Sequence, residues 1–318
     1  MIGNIILEGK NGVRVEVVQH SISESGKEIF TVNVKYGLLI HAELLRHRTL
    51  SRCVKSNRAI PMKIIRKEVL ANPYSPVFIG KNQAGMVADS EMMFKGFWEG
   101  VYKAARYPMC AVHWFADKCG AHKEWANRLL NPWQYVSETI TATEWDNLYN
   151  LRIHKDAQKD AYEVVKLIRN AQKISKPVEL KAGEYHVPYV ARKRVVGVLK
   201  YFDNDGSELS VGQAIKASAA RCARSSYNNH DKSTASYKND IGLFNNLIES
   251  EPKHASPVEH QATPMSSQWD HRDASEGCIY PDGITHQDTK GNYWSGNLKG
   301  WIQYRQLIPN NACWDYKD

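Results

Sequence analysis

The sequence predicts an α/β protein, because strand-like and helix-like patterns both occur in a chain long enough for a full core. Successive residues of Lys27–Lys35 alternate with period two, which is typical of a strand. Helical spacing recurs over 62–72, where Pro73 predicts the stop, and again over 156–174. The length of 318 residues and the hydrophobic content of 42% are those of a folded globular protein.

The elements between these segments are predicted from local signals. His41–Arg48 is predicted to be a short helix or turn that leads into a basic segment. The capping-box pattern Thr141–Glu144 predicts a helix that starts at Thr141. That helix would carry Thr143 and Asn147 on one face and Arg152 near its end. The remaining predictions are loop over 75–85, irregular structure over 177–189, and helices over 86–118 with a break near Pro108, 122–132, 207–223, 237–250 and 298–307.

The composition excludes several classes of protein and favours an anionic ligand. The 42 basic and 34 acidic residues give a net charge of +8, which suits nucleic acid or small phosphorylated ligands. No nucleic-acid-binding motif is present, so nucleic acid is the less expected of the two. No apolar run approaches the roughly 20 residues of a membrane helix, and the first residues lack the pattern of a secretory signal. We therefore expect no membrane partner.

The cysteines predict neither a metal centre nor a disulfide framework. None of the six forms a CxxC pair, and none has an obvious histidine partner that would activate it. We therefore expect no metal site and a reduced, cytoplasmic setting. The cysteines are Cys53, Cys110, Cys119, Cys222, Cys278 and Cys313.

The segment Arg46–Arg58 is the most informative stretch of the chain. It places four arginines, one lysine, one histidine and two serines within thirteen residues. Guanidinium groups interleaved with hydroxyls suit a phosphate or a delocalised anion. The alternative is an ordinary solvated basic loop, since runs of charge usually face water.

This segment resembles the signature of the flavin-dependent thymidylate synthases (the ThyX family). The shared features are Arg-His-Arg followed by Ser51 and then by Ser56-Asn57-Arg58, and the continuation to Pro61 resembles the phage-type branch. The resemblance implies a mainly antiparallel sheet flanked by many helices. It also implies roles for individual residues: Arg46, His47, Arg48 and Thr49 against the flavin, Ser56 near the base, Arg58 on the nucleotide phosphate and Glu43 on the nucleotide.

A second segment, Thr141–Gln158, resembles the part of the family in which an asparagine-bearing helix leads to Leu-Arg and then to Ala-Gln. The resemblance implies that Asn147 and Gln158 bind the flavin and that Arg152 faces the pyrimidine base. Arg128 resembles the second phosphate-binding arginine of the family. The alternatives are a helix-end arginine bonded to the last carbonyls of its helix for Arg152 and a plain surface charge for Arg128.

A third segment, His254–His260 (HASPVEH), resembles the family element H-x-[TS]-P-F-E-H, which touches the flavin from a neighbouring subunit. The resemblance implies that His254, Ser256 and Glu259 bind the cofactor. Loop histidines without a role, or a weak metal pair, are the alternatives. In familiar members this element precedes Arg-His-Arg, whereas here it follows, as does Ala220–Tyr227. The segment order is therefore permuted, as circular rearrangement allows when the chain ends lie close together.

Three positions depart from the family pattern. Cys53 stands where asparagine is frequent, Glu43 where glutamine commonly contacts the nucleotide, and Thr143 where some members carry a flavin-binding arginine. A carboxylate at position 43 would repel a phosphate unless Arg58 or Arg128 neutralises it. Glu43 is therefore the most serious departure.

Taken together, the resemblance implies one catalytic domain over 1–318, with the Arg-His-Arg and Leu-Arg motifs in 1–200 and the other two elements in 201–318. The implied reaction is the reductive methylation of dUMP to dTMP, with methylenetetrahydrofolate, FAD and NADPH, by a homotetramer in the cytoplasm (of the host, if the protein is phage-encoded). One alternative is C5 methylation or hydroxymethylation of another pyrimidine nucleotide such as dCMP. The other is a relative that binds nucleic acid and has lost catalysis.

Overall fold

The fold is organised around an antiparallel sheet in the first half of the chain. The computed structural model describes residues 5–80, 90, 92–226, 235–266, 280–313 and 315–316. Within these residues the strand order is β1-β2-β3-β5-β4, and β6 adds to β2 as a parallel strand. The strands are β1 Ile6–Glu8, β2 Arg14–Ser23, β3 Glu28–Gly37, β4 Ser51–Val54, β5 Tyr135–Ala142 and β6 Val178–Leu180. The prediction of an α/β protein with a mainly antiparallel sheet is confirmed.

Helices surround this sheet and smaller sheets complete the second half of the chain. The α-helices of the described residues are α1 His41–Leu45, α2 Met62–Ala71, α3 Lys95–Ala104, α4 Arg106–Lys118, α5 Lys123–Ala126, α6 Asp146–Arg152, α7 Lys159–Ile174, α8 Val211–Ser226 and α9 Tyr237–Phe244. The further strands are β7 Ala191–Val195, β8 Val198–Phe202, β9 Glu208–Leu209, β10 Ala262–Pro264, β11 His286–Gln287, β12 Tyr293–Ser295, β13 Leu298–Lys299 and β14 Trp301–Gln303. No helix among the described residues is both long and apolar enough to span a bilayer.

The two faces of the main sheet differ in chemistry, because successive residues of a strand point to opposite sides. The face that we call the apolar face carries Val32, Val34 and Ile140, which pack with buried side chains of α7 in one cluster. The opposite face, which we call the hydroxyl face, carries a row in which Thr31 pairs with Thr141 and Thr141 with Ser51. Helix α8 packs on this second face against β4 and β5.

Most helices that the spacing predicts are present, with shifted ends. Helix α2 ends at Ala71, just before the predicted stop at Pro73, and α7 covers most of the predicted 156–174. The break in 86–118 lies at Ala105, whereas the prediction put it near Pro108. Pro108 lies in the first turn of α4, where a missing N–H costs no intrahelical bond. The predicted residues 81–89, together with Tyr227 and Cys278, lie outside the described residues.

Three helix predictions are wrong in kind. Thr141 does not start a helix: it lies within β5, and α6 begins at Asp146. Over 122–132 the α-helix covers only Lys123–Ala126, and a 3-10 helix then continues past Pro132 to Trp133. Over 298–307 the chain forms β13, β14 and a 3-10 helix from Tyr304 to Leu307. At Thr141 the local pattern is outweighed by contacts with a distant segment, since its hydroxyl bonds that of Thr31 at 2.6 Å.

Candidate functional site

The basic segment lies at the edge of the main sheet, between α1 and the strand β4. Among the described residues β4 pairs with β5 alone. Arg46 and Arg48 are exposed in the turn between the two elements, whereas His47 between them is buried. The prediction that a short helix leads into this segment is confirmed by α1. The turn therefore presents two guanidinium groups to solvent and one imidazole to the interior.

The structure brings the end of α6 against the end of α1. Arg152, the last residue of α6, donates from Nη2 to the carbonyl oxygen of Glu43 at 2.9 Å and from Nε to Nε2 of His47 at 3.2 Å. The same Nη2 lies 3.4 Å from the Glu43 carboxylate. Arg152 thus satisfies a carbonyl of α1 and not of its own helix. The alternative that it is a plain helix-end arginine does not describe these contacts.

His47 is a neutral imidazole in this arrangement. Its burial lowers its pKa, and the positive charges of Arg152 and Arg52 lower it further. Because Nε2 accepts from Arg152, the ring proton lies on Nδ1. The neutral Nε2 of His47 therefore orients the Arg152 guanidinium by accepting its hydrogen bond, and the ring adds no charge of its own.

The carboxylate of Glu43 is compensated within the same group. Arg46 Nη1 lies 3.7 Å from the Glu43 carboxylate, in addition to the Arg152 contact. The expected neutralising residues Arg58 and Arg128 do not pair with it, and Arg58 instead lies 3.6 Å from Glu124. The departure at position 43 is therefore balanced by motif arginines, although not by the two that we expected.

Ser56 and Arg58 lie on the loop after β4, and Arg128 lies in the 3-10 helix that follows α5, and asparagines bond these two segments together. The Asn127 side chain donates to the carbonyl oxygens of Asn57 at 2.8 Å and of Ile60 at 3.0 Å. Arg58 and Arg128, each adjacent to one of these asparagines, are both exposed. Ser56 Oγ accepts from the backbone N–H of Arg58 at 3.3 Å. The two predicted phosphate-binding arginines are thus presented from one bonded unit.

Asn147 and Gln158 are exposed at the start of α6 and immediately before α7. A cleft of about 670 Å³ is lined by Ile153, His154 and Lys155, the residues directly after Arg152, and by Lys159, the residue after Gln158. Its other side is formed by Val77, Phe78 and Ile79, among others. Asn147 and Gln158 are accessible, but neither of them lines this cleft.

The HASPVEH element lies against β4 of the same chain. Ser256–Glu259 forms a 3-10 helix that packs on β4, the strand that follows the basic turn. The Ser256 hydroxyl hydrogen-bonds the thiol of Cys53. Glu259 is paired with Arg305, while His254 is exposed and bonds through its backbone to Leu247. Two motif blocks that are far apart in sequence are thus neighbours within one chain.

His260 anchors this element to the hydroxyl face. Its Nδ1 lies 2.8 Å from Oγ1 of Thr141, which bonds Thr31, and Thr31 in turn lies 2.8 Å from Nε2 of His186. Burial lowers the pKa of His260 to about 3 and holds that of His186 well below its usual value. Both imidazoles are therefore neutral. A metal-binding role for His254 and His260 has no support here, because no cluster of three or more potential ligands occurs within the described residues.

The departures at positions 53 and 143 have structural partners. Cys53 is buried on the hydroxyl face, and burial raises the pKa of its thiol well above the usual range. The Thr143 hydroxyl accepts from the backbone N–H of Lys299 at 2.9 Å. Both residues thus hold the second half of the chain against the sheet, so neither is available as a flavin-binding group in this arrangement.

The Ala220–Tyr227 segment, as far as it is described, has a structural role. Arg221 is buried and pairs with Asp203 and, at 2.9 Å, with Asp240. Arg224 pairs with Asp240 as well. These ion pairs join α8 to α9, so the two arginines of the segment hold the helices together.

Sequence reasoning missed two residues that hold the site, Arg52 and Glu138. Arg52 donates to the carbonyl oxygens of Leu44 and His47, and its Nη1 lies 3.6 Å from the fully buried Glu138. One signal was available: Glu138 interrupts the apolar residues that alternate through β5, and a carboxylate at a core-facing position needs a cation. The identity of that cation depends on the pairing of β4 with β5, which the sequence does not contain.

Comparisons with known proteins give similarity to solved structures alone. No protein-family model matches the chain, and no curated protein matches it. A similar solved structure is the crystal structure of the UMP/dUMP methylase PolB from Streptomyces cacaoi bound with 5-Br UMP, at 18% identity and a TM-score of 0.42. The superposition covers 51% of this chain and 90% of that one. About half of the present chain thus has no counterpart in it.

Proposed function

We propose that this protein methylates C5 of a pyrimidine nucleotide in the manner of the flavin-dependent thymidylate synthases that its motifs resemble. The substrate would be dUMP, with methylenetetrahydrofolate as carbon donor and NADPH as reductant. The observation that supports this proposal best is the contact of Arg152 with Glu43 and His47. These residues come from two motif blocks about a hundred residues apart, and the proposed reaction needs them in one place.

The exposed groups around the basic turn suit FAD, which would supply the hydride-transfer chemistry. Arg46, Arg48 and Thr49 offer two guanidiniums and a hydroxyl, the donor set that an anionic cofactor needs. Asn147 and Gln158 would add exposed amides from α6 and from the residue before α7, and Ser256 and His254 lie on the element that packs against β4. Glu259 fits less directly, because Arg305 already pairs with it.

Arg152 is the residue that we assign to the base. Its Nε and Nη2 are held by His47 and Glu43, whereas Nη1 makes no hydrogen bond with any of the described residues. A guanidinium fixed in this way can donate to a base carbonyl oxygen and stabilise the negative charge that develops there as C5 becomes nucleophilic. Glu43 orients the guanidinium, and Ser56 is an additional donor near the base.

Arg58 and Arg128 are assigned to the phosphate. Both are exposed, on a loop and on a 3-10 helix that the contact of Asn127 with Asn57 fixes relative to each other. Their forked guanidiniums can form charge-assisted bonds to a dianionic phosphate. The weak exposed pair of Arg58 with Glu124 would be exchanged for the ligand.

A product assay tests this proposal. Purified protein is supplied with dUMP or dCMP, each with methylenetetrahydrofolate, FAD and NADPH, and the nucleotide products are identified by mass spectrometry. We expect dTMP from dUMP, and flavin absorbance from protein reconstituted with FAD. Product from dCMP alone would move the substrate to cytosine. No product from either nucleotide, together with no flavin binding, would refute the proposal.

We also propose that the protein self-associates through α3 and α4. Phe94, Phe97, Trp98 and Val101 follow helical spacing on one face, and each is at least 43% exposed. With the exposed rings of α4, the aromatic side chains present on the order of 700 Å². A standard protein–protein interface buries about 800 Å² on each partner. The exposed aromatic surface of α3 and α4 is therefore of the size that a second copy of the same surface would bury. The α4 rings are those of Tyr107, Trp114 and Phe115.

Light scattering and mixing experiments test this second proposal. We expect an oligomer that Phe97→Glu weakens, whereas Val196→Glu, at a fully exposed site outside α3 and α4, does not. If the flavin site is shared between chains, Arg48→Ala and Glu259→Ala proteins, each inactive, should regain activity when mixed. A monomeric wild type at micromolar concentration would contradict the interface, and no recovery in verified mixed oligomers would contradict sharing.

A further inference from the structure

The short helix α1 is held at both ends by one buried chain of polar side chains. At its start, His41 Nδ1 lies 2.7 Å from the hydroxyl of Tyr36, and that hydroxyl donates to Oε2 of Glu138. At its end, Arg52 donates to the carbonyl oxygens of Leu44 and His47. Glu138 and Arg52 lie 3.6 Å apart and close the chain.

The hydrogen bonds at the two ends of α1 have definite donors and acceptors. The Tyr36 hydroxyl gives its proton to Glu138, so the Tyr36 oxygen can only accept from His41, which carries its proton on Nδ1. Arg52 donates from Nη2 to the carbonyl oxygens of Leu44, in the last turn of α1, and of His47, in the turn that follows. Arg52 and Glu138 are joined by an ion pair and not by a hydrogen bond. The helix can therefore neither rotate nor slide without breaking the His41 bond at its start or the Arg52 bonds at its end.

Stability alone does not account for an ion pair at this place. Tyr36 and Glu138 are fully buried within the apolar face, and burying two charges costs desolvation that well-packed apolar side chains would avoid. The burial of Glu138 raises its pKa, while Arg52 lowers it. Removing only one partner would leave an uncompensated charge. The Arg52–Glu138 pair thus costs desolvation free energy, but it fixes the position of α1.

We propose that Arg52 and Glu138 are positioning residues that fix α1 so that Glu43 and His47 meet Arg152. All three contacts of Arg152 are made with residues of α1 or of the turn that Arg52 holds. Arg52 and Cys53, which are consecutive in β4, point to opposite faces of the sheet. The same strand therefore holds α1 through Arg52 and the HASPVEH element through Cys53.

The test uses the double variant Arg52→Met/Glu138→Met, which removes both charges and leaves neither unpaired. Tyr36→Phe is a milder second variant that breaks the chain at its centre. Arg66→Met is the control, because the Arg66 side chain is 15% exposed, against 10% for Arg52, and pairs with Asp117 at 3.3 Å outside the site. Amide hydrogen exchange of peptides covering 41–50 reports the position of α1 without any activity measurement.

We expect amides of 41–50 to exchange at least about tenfold faster in the double variant and less markedly so in Tyr36→Phe, with the control unchanged. Turnover should fall by about a hundredfold in the double variant, as for other small misplacements of reacting groups, with less change in KM. This kinetic part rests on the proposed function. Unchanged exchange would overturn the positioning role. Faster exchange in a protein whose wild type forms no methylated product would uphold that role and refute the proposed function instead.

Discussion

The apolar face and the hydroxyl face of the main sheet are formed by the same strands but hold their partners by different means. On the apolar face, Val32, Val34 and Ile140 pack against α7 through apolar contacts. The ion pair of Arg52 with Glu138 adds a charged contact on this face, next to α1. On the hydroxyl face, Thr31 and Thr141 bond to two buried neutral histidines. Hydrogen bonds and ion pairs thus occur where α1 approaches β4 on one face and where the HASPVEH element approaches β4 on the other. The difference indicates that the polar contacts fix orientation, while the apolar ones supply stability.

The largest expected effect concerns the group at the end of α1. Arg152→Lys keeps a positive charge near Glu43 but loses the Nε bond to His47 and the planar fork. We expect dTMP formation to fall by about a hundredfold or more, as after loss of one preorganised donor. Steady-state kinetics with dUMP measure it. Flavin affinity, measured by titration, should stay near that of the wild type, and normal turnover would show that Arg152 has no role at the base.

A smaller effect is expected for the exposed guanidinium of the basic turn. Arg48→Ala removes one cation from the proposed flavin surface, which should weaken FAD binding by about 1.5–3 kcal/mol, the value of a charge-assisted hydrogen bond. Fluorescence titration of FAD into apoprotein measures it. Arg14→Ala, an exposed arginine outside the motifs, serves as the control. Equal affinity in all three proteins would remove the turn from the cofactor site.

The two buried histidines of the hydroxyl face predict an acid sensitivity. The folded-state pKa of His260 is lowered to about 3 and that of His186 is also lowered, so below about pH 6.5 only the unfolded chain takes up their protons. Their contribution is complete above pH 6.5 and is lost as the pH falls. Each should reduce the free energy of unfolding by about 1.4 kcal/mol for every pH unit below 6.5.

Urea unfolding between pH 5 and 8 measures this loss. His260→Gln should show a shallower decline below pH 6.5 than the wild type, whatever its stability at pH 8. His154→Gln, at an exposed position, provides the comparison and should retain the wild-type slope. A variant at position 260 with the same slope as the wild type would mean that His260 is protonated in the folded protein.

The two faces also differ in how far the sequence predicts them. The alternation of Lys27–Lys35 identifies β3, and the spacing over 156–174 identifies α7, because apolar packing leaves a periodic pattern. The sequence predicts a helix start at Thr141, because a capping box and a strand hydroxyl share the same local residues. Its true partners, Thr31 and Ser51, are fixed by strand register. Directed polar contacts between distant segments leave no period in the sequence.

The same reasoning applies to the site. Arg152 and Glu43 were identified by motif, but their mutual contact was not, because it depends on how α6 docks on α1. Arg52 lies within the basic segment but is not one of its matched motif positions, and Glu138 belongs to no motif, so only the pairing of β4 with β5 brings them together. The sequence thus predicts candidate site residues, and the fold determines which of them touch.

The smallest expected effect concerns Arg58 and Arg128, which lie outside both faces of the sheet. Both are exposed, and their proposed partner is a phosphate whose charge does not change during the reaction. Lysine keeps that charge and loses only the fork, so Arg58→Lys should raise the KM for dUMP by less than about tenfold, or 1.4 kcal/mol, and leave kcat near the wild-type value. An interaction made equally in the ground state and the transition state changes KM alone.

Arg128→Lys should behave alike, and kinetics with dUMP and with deoxyuridine, which lacks the phosphate, decide the matter. The variants and the wild type should be indistinguishable with deoxyuridine. If Arg58→Lys instead lowers kcat as Arg152→Lys does, Arg58 acts at the reacting centre. The distinction between Arg152, whose orientation matters for the reaction, and Arg58, which only attracts the phosphate, would then be wrong.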